Sequence, residues 1–174
     1  MKHRITETIL NSTPQTVRLG AGTGAANHLT DDERGKIVKL VGESRYNLAS
    51  AGDVIEGFIS SVEVGTSDNY TIGGVVKEGT KEVTFDGDQA TPGTGTLAVG
   101  DFVVTGTVVA KDTPLSAPVK VTKATVQPGI TEAGAVGDVN DMIKLAMYAW
   151  RVVSLGTAGT GAVGTTGIIE RVAP

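Results

Sequence analysis

A strand–turn–strand phrase near the N-terminus returns at the C-terminus, and it commits both ends of this chain to β-structure. Lys39-Leu40-Val41-Gly42 leads through small residues to Gly57-Phe58-Ile59-Ser60-Ser61-Val62, and Val153-Ser154-Leu155-Gly156 leads through Gly, Thr and Ala to Gly167-Ile168-Ile169-Glu170-Arg171-Val172. Each phrase is an apolar run, a Gly-rich reversal and a Gly-x-Ile-x-x-Val return, which reads as a hairpin. Little chemistry lies between them. Such a chain is expected to hold something together rather than to transform a substrate.

The available core supports the same class. Hydrophobic residues make up 40% of the 174-residue chain but aromatic ones only 4%, so Val, Ile, Leu and Ala must fill the interior. The 24 glycines exceed the average usage of about 7%. Without a Gly-x-y period, and among Val and Thr, they read as tight turns between short strands. With no cysteine, disulfides, thiolate metal sites and a cysteine nucleophile are excluded. The net charge of −4, without a basic face, argues against nucleic acid as a partner. Neither a secretory signal nor an 18-residue apolar run is visible, so a soluble chain made in the cytoplasm, with no membrane partner, is expected.

Along the chain, residues 1–27 read as an extended arm with sparse apolar points, ending in the joint Gly20-Ala21-Gly22-Thr23-Gly24. Fully extended it would reach roughly 90 Å at about 3.3 Å per residue. Arg4, Ile5, Ile9, Val17 and Leu19 are its candidate partner contacts; a frayed terminus or a first edge strand is the alternative. Residues 28–174 then form one β-rich domain. Thr30-Asp31-Asp32-Glu33 fits a capping box, cut short by Gly35. Strands are expected over 36–40, 54–64, 70–76, 82–85, 97–110, 119–126, 150–155 and 166–172, with Gly57 at a bulge or close contact and Asp86-Gly87-Asp88 as a turn. Met142, Leu145, Ala146 and Ala149 fall at i, i+3, i+4 and i+7, which favours a short helix over 140–149, although alternation from Ile143 to Ala149 also fits a strand. The expected fold class is mainly β: a single β-sandwich or barrel-like domain of about eight short strands, one short helix and the N-terminal arm.

Candidate chemistry is sparse. Gly159-Thr160-Gly161-Ala162-Val163-Gly164 matches G-x-G-x-x-G, but too little chain follows for a dinucleotide-binding βαβ unit, so it reads as a hairpin turn. His3 and His28 are the only histidines and read as solvated or interfacial. Asp86 and Asp88 could offer weak Ca²⁺ ligation, though a turn explains them better. Tyr148 with Trp150, the only aromatic cluster, reads as a core plug or interface anchor. No catalytic residue, metal site or cofactor is assigned, and the chain is expected not to be an enzyme.

Arg34-Gly35-Lys36-Ile37-Val38-Lys39-Leu40, followed by Ala49-Ser50-Ala51-Gly52-Asp53-Val54-Ile55-Glu56-Gly57-Phe58-Ile59, resembles the capsid decoration (cement) proteins of tailed bacteriophages. Leu97-Ala98-Val99-Gly100-Asp101-Phe102-Val103 is similar to a Gly-Asp-x-Val step of the same family, as is the closing Gly-Ile-Ile-Glu-Arg-Val. The resemblance spans about half the chain and rests on turns and strands. It implies a structural virion protein on the capsid exterior, commonly a homotrimer, that clamps neighbouring copies of the major capsid protein. The other readings are a tail-tube, head-completion or fibre-base module, and a β-sandwich enzyme or carbohydrate-binding module.

Overall fold

The computed structural model describes residues 14–22, 25–42, 45–63, 71–127, 143 and 145–172. Eleven strands fall among them: β1 (Gln15–Leu19), β2 (Ile37–Gly42), β3 (Arg45–Leu48), β4 (Gly57–Glu63), β5 (Thr71–Val76), β6 (Thr80–Asp88), β7 (Thr91–Pro92), β8 (Val103–Thr105), β9 (Lys120–Lys123), β10 (Trp150–Ser154) and β11 (Thr166–Arg171). The protein is mainly β, in two sheets. The first is a closed barrel in the order β1-β3-β2-β4-β5, and the second runs β10-β11-β6-β9-β8 with β7 on β6.

The barrel closes because β1 pairs on both sides, parallel to β3 and antiparallel to β5. Its interior is filled by Val17, Leu19, Val38, Tyr46, Ile59 and Val75. A five-stranded barrel leaves little room inside, and Gly73 on β5 meets that limit. A Cβ there would overlap the Ser61 carbonyl and stand 2.6 Å from the Leu19 side chain.

The two sheets share a second core. Ile37, Ile55 and Phe58 from the barrel side pack with Val83, Phe85, Val121, Trp150, Val152 and Ile169 from the other sheet. On β2, Ile37 therefore faces this junction while Val38, one residue on, faces the barrel interior. A strand buried on both faces needs a continuous apolar run rather than strict alternation, which is what Ile37-Val38 supplies.

Two Gly-Asp turns hold the free strand edges. Gly52 donates its N–H to the Thr105 carbonyl at 2.8 Å and Thr105 donates back to the Asp53 carbonyl at 2.9 Å. Gly100 and Asp101 repeat the exchange with Val152, again at 2.8 and 2.9 Å. The first turn ties the barrel to β8. The second, with a bridge between Phe102 and Arg151, brings the outer strands β8 and β10 of the second sheet together. Both glycines have positive φ (+84° and +96°), a conformation that costs an L-residue with a Cβ and costs glycine nothing.

Several expectations change. Within the arm expected over residues 1–27, Gln15–Leu19 is a barrel strand whose pairing with β3 and β5 outweighs its modest apolar content, and residues 1–13 lie outside the described ones. β3 lies between the two halves of the first phrase and pairs with the outer edge of β2, although β2 and β4 also pair as expected. The 97–110 run yields only Val103–Thr105 as strand. Asp86-Gly87-Asp88 makes no turn: β6 continues through it with a register shift, and the reversal comes at Gln89 and Ala90. Gly57 is a close contact, its notional Cβ 2.6 Å from Val75 Cγ1, while the bulge on β4 falls between Ile59 and Ser61. Within the expected helix, Leu145, Ala146 and Met147 are helical and Trp150 begins β10; residues 140–142 lie outside the described ones.

Candidate functional site

Residues 106–119, the first five of them expected as strand, cross the junction between the two sheets as an irregular strap. Two buried carboxylates hold it. At one end, Asp86 accepts the Thr107 N–H at 2.9 Å and the Thr107 hydroxyl at 2.5 Å, and pairs with Lys120 Nζ at 3.2 Å. Further along, Glu33 Oε1 accepts the Asp112 N–H at 2.6 Å and meets Lys36 Nζ at 3.4 Å. Lys36 in turn donates to the Ala110 carbonyl at 2.8 Å.

The capping box is what places Glu33. Thr30 initiates the short 3₁₀ turn Asp31–Glu33, and Glu33 Oε2 accepts the Thr30 N–H and hydroxyl. The turn buries the carboxylate completely and leaves Oε1 for the strap and for Lys36. Burial pushes the Glu33 carboxyl up, but the hydrogen bonds from Thr30 and Asp112 and the Lys36 charge outweigh it, so its pKa lies below the ordinary 4.5. For Asp86 burial also acts upward and is outweighed by Thr107 and Lys120, leaving the pKa below 3.8. Both groups are therefore charged at neutral pH, each with a lysine beside it.

Between strap and barrel lies a cavity of about 290 Å³ whose walls include Ile37, Leu48, Ala49, Leu115 and Val119. Val108 and Val109 stand at it with 47% and 38% of their surface exposed. Thr105 lines it as well, and its buried hydroxyl has no hydrogen-bond partner among the described residues.

The residues singled out from sequence fall elsewhere. Arg4, Ile5 and Ile9, like His3, lie outside the described residues. Val17 and Leu19 point into the barrel, 7% and 1% exposed, and are occupied by their own core rather than offered to a partner. Trp150 is fully buried at the junction, the core-plug alternative of its reading. Tyr148 is buried beside Val104 and Ala124, with its ring tilted 35° to Phe102 at 6.2 Å. His28 is buried rather than solvated. The Gly159–Gly164 stretch lies in the β10–β11 connection, as a hairpin turn should, with Leu97 N–H bonded to the Gly161 carbonyl. Asp86 is committed to Thr107 and Lys120, and no group of three or more metal-ligating side chains occurs among the described residues.

Sequence reading missed the strap network. The capping box announced where Glu33 would be, but nothing local announced that its second oxygen would capture a backbone N–H 79 residues away. No family model, curated protein or solved structure matches this chain.

Proposed function

We propose that this protein is a structural virion component that binds the outer surface of a phage capsid and cements neighbouring major capsid subunits, assembling there as a homotrimer. The observation that supports the reading is the part played by the residues of the family-like phrases. Gly52-Asp53 and Gly100-Asp101 are staples that bond strand edges, and Ile37, Ile55 and Phe58 are core. The phrases thus carry architecture, which suits a role exercised through binding. With β1 held between β3 and β5, and with β8 and β10 brought together, the described strands leave little free edge for end-to-end strand addition. A cement protein needs such restraint, since it must stay a small oligomer until it meets the capsid. Binding through three equivalent contacts would raise avidity by roughly 10²–10⁴ over one contact.

Light scattering on the purified protein, followed by cosedimentation with empty phage heads, tests the proposal. The expected result is a mass of three 17.8-kDa chains that cosediments with heads and raises their resistance to heat. Rings or long polymers in the absence of heads would replace it with a tail or fibre role, and a species that ignores heads would overturn it.

A further inference from the structure

The strap-covered cavity has the build of a small-molecule site, and the chemistry of its walls narrows the ligand. Ile37, Leu48, Ala49, Val109, Leu115 and Val119 make the lining predominantly apolar. The two lysines in the wall carry no spare charge. Lys36, with its side chain 5% exposed, is matched by Glu33, and Lys120 is matched by Asp86. An anion entering the cavity would have to compete with a carboxylate already in place, and a cation would meet two ammonium groups. The electrostatic complement of this lining is a neutral molecule.

The volume sets the size. A cavity of about 150 Å³ holds a benzene ring, so one of about 290 Å³ has room for about twelve non-hydrogen atoms. Among the buried polar side chains of the wall, one remains unused. Thr105 is 1% exposed and its hydroxyl has no partner among the described residues, although β8 hydrogen-bonds the backbone on either side of it. A ligand that brings a hydrogen-bonding group to Thr105 supplies the partner the fold withholds. Ligand sites commonly combine an apolar wall with one or two such polar groups.

We infer that the cavity beneath the strap binds a neutral, two-ring-sized apolar molecule bearing one hydroxyl, oriented by Thr105. This goes beyond the capsid role and does not depend on it.

Isothermal titration calorimetry of the full chain with 1-naphthol, naphthalene and 1-naphthoate at neutral pH tests the inference. One 1-naphthol should bind per chain, about tenfold more tightly than naphthalene, the difference expected for one added hydrogen bond. The anionic naphthoate should bind more weakly than naphthol. Thr105→Val should erase the preference for naphthol over naphthalene, so that the two bind the variant with equal affinity. Leu115→Trp, a change in the strap rather than in a strand, should fill the cavity and weaken both neutral ligands at least tenfold. Absence of naphthol binding to the unmodified chain, tightest binding of naphthoate, or a naphthol preference that survives Thr105→Val would each overturn the assignment.

Discussion

Asp53 and Asp101 hold the same position in two turns that share no sequence beyond Gly-Asp. Each carboxylate accepts the backbone N–H three residues upstream, Ser50 at 2.6 Å and Ala98 at 2.8 Å. Each also meets a lysine, Lys39 at 2.6 Å and Lys123 at 3.0 Å. With the paired backbone bonds to Thr105 and Val152, these contacts make the two turns copies of one device. One copy fastens the barrel to the second sheet, and the other draws that sheet toward closure.

Removing either carboxylate strands an N–H and a lysine together. Asp53→Ala and Asp101→Ala are each expected to lower stability by about 1–2 kcal/mol. Gly100→Ala should cost about 1 kcal/mol from its positive φ alone, because no atom stands within 4 Å of the added Cβ. Urea unfolding followed by the fluorescence of Trp150, the single tryptophan, measures all three.

At the junction, Phe58 from β4 meets the Trp150 ring edge-on, with centroids 5.0 Å apart and planes at 85°. Both side chains are fully buried, so Phe58→Ala should cost about 3–5 kcal/mol. Its Trp150 emission should also move toward that of exposed indole. An unchanged spectrum and unchanged urea midpoint would mean that the two sheets do not depend on this contact.

Acid should loosen the strap. The folded-state pKa values of Glu33 and Asp86 lie below 4.5 and 3.8, so their contribution is complete above those ordinary values. It is lost as the pH falls through the lower folded-state values, where the native state must take up protons that the unfolded chain has already bound. Stability measured between pH 6 and 2 should therefore fall most steeply below about pH 4.5. Glu33→Gln should flatten part of that slope.

Two conservative changes near the cavity should act in opposite directions. Lys36→Met leaves the Glu33 carboxylate buried without its cation and is expected to cost about 3–5 kcal/mol. Thr105→Val replaces an unpartnered buried hydroxyl with a methyl group and should add about 1 kcal/mol. Thermal unfolding of the two variants beside the parent decides the sign of each.

Deleting residues 1–26 should abolish cooperative unfolding of the barrel, because it takes away β1 and, with it, the strand that joins β3 to β5. A deletion variant that keeps the parent's urea midpoint and far-ultraviolet circular dichroism would make β1 dispensable.

The hairpin β10–β11, the strands β2, β4, β5 and β6 and the capping box at Thr30 were legible in the sequence, because each depends on residues close together in the chain. Apolar runs bounded by glycine identify a strand, and a Thr with a Glu three positions on identifies a helical start. Partnership between distant segments is another matter. Gln15–Leu19 has the composition of a tail, and only its fit between β3 and β5 makes it a strand. Val108 and Val109 have strand-like side chains, yet Gly106 runs against the Lys120 backbone and Asp86 then captures Thr107, so the chain leaves the sheet there. The local sequence by itself determined β-structure, its turns and an aliphatic core. Only the tertiary structure decided barrel closure, the strap and the cavity beneath it, because a carboxylate's second oxygen or a strand's free edge is satisfied by whichever distant group the packed fold brings within 3 Å.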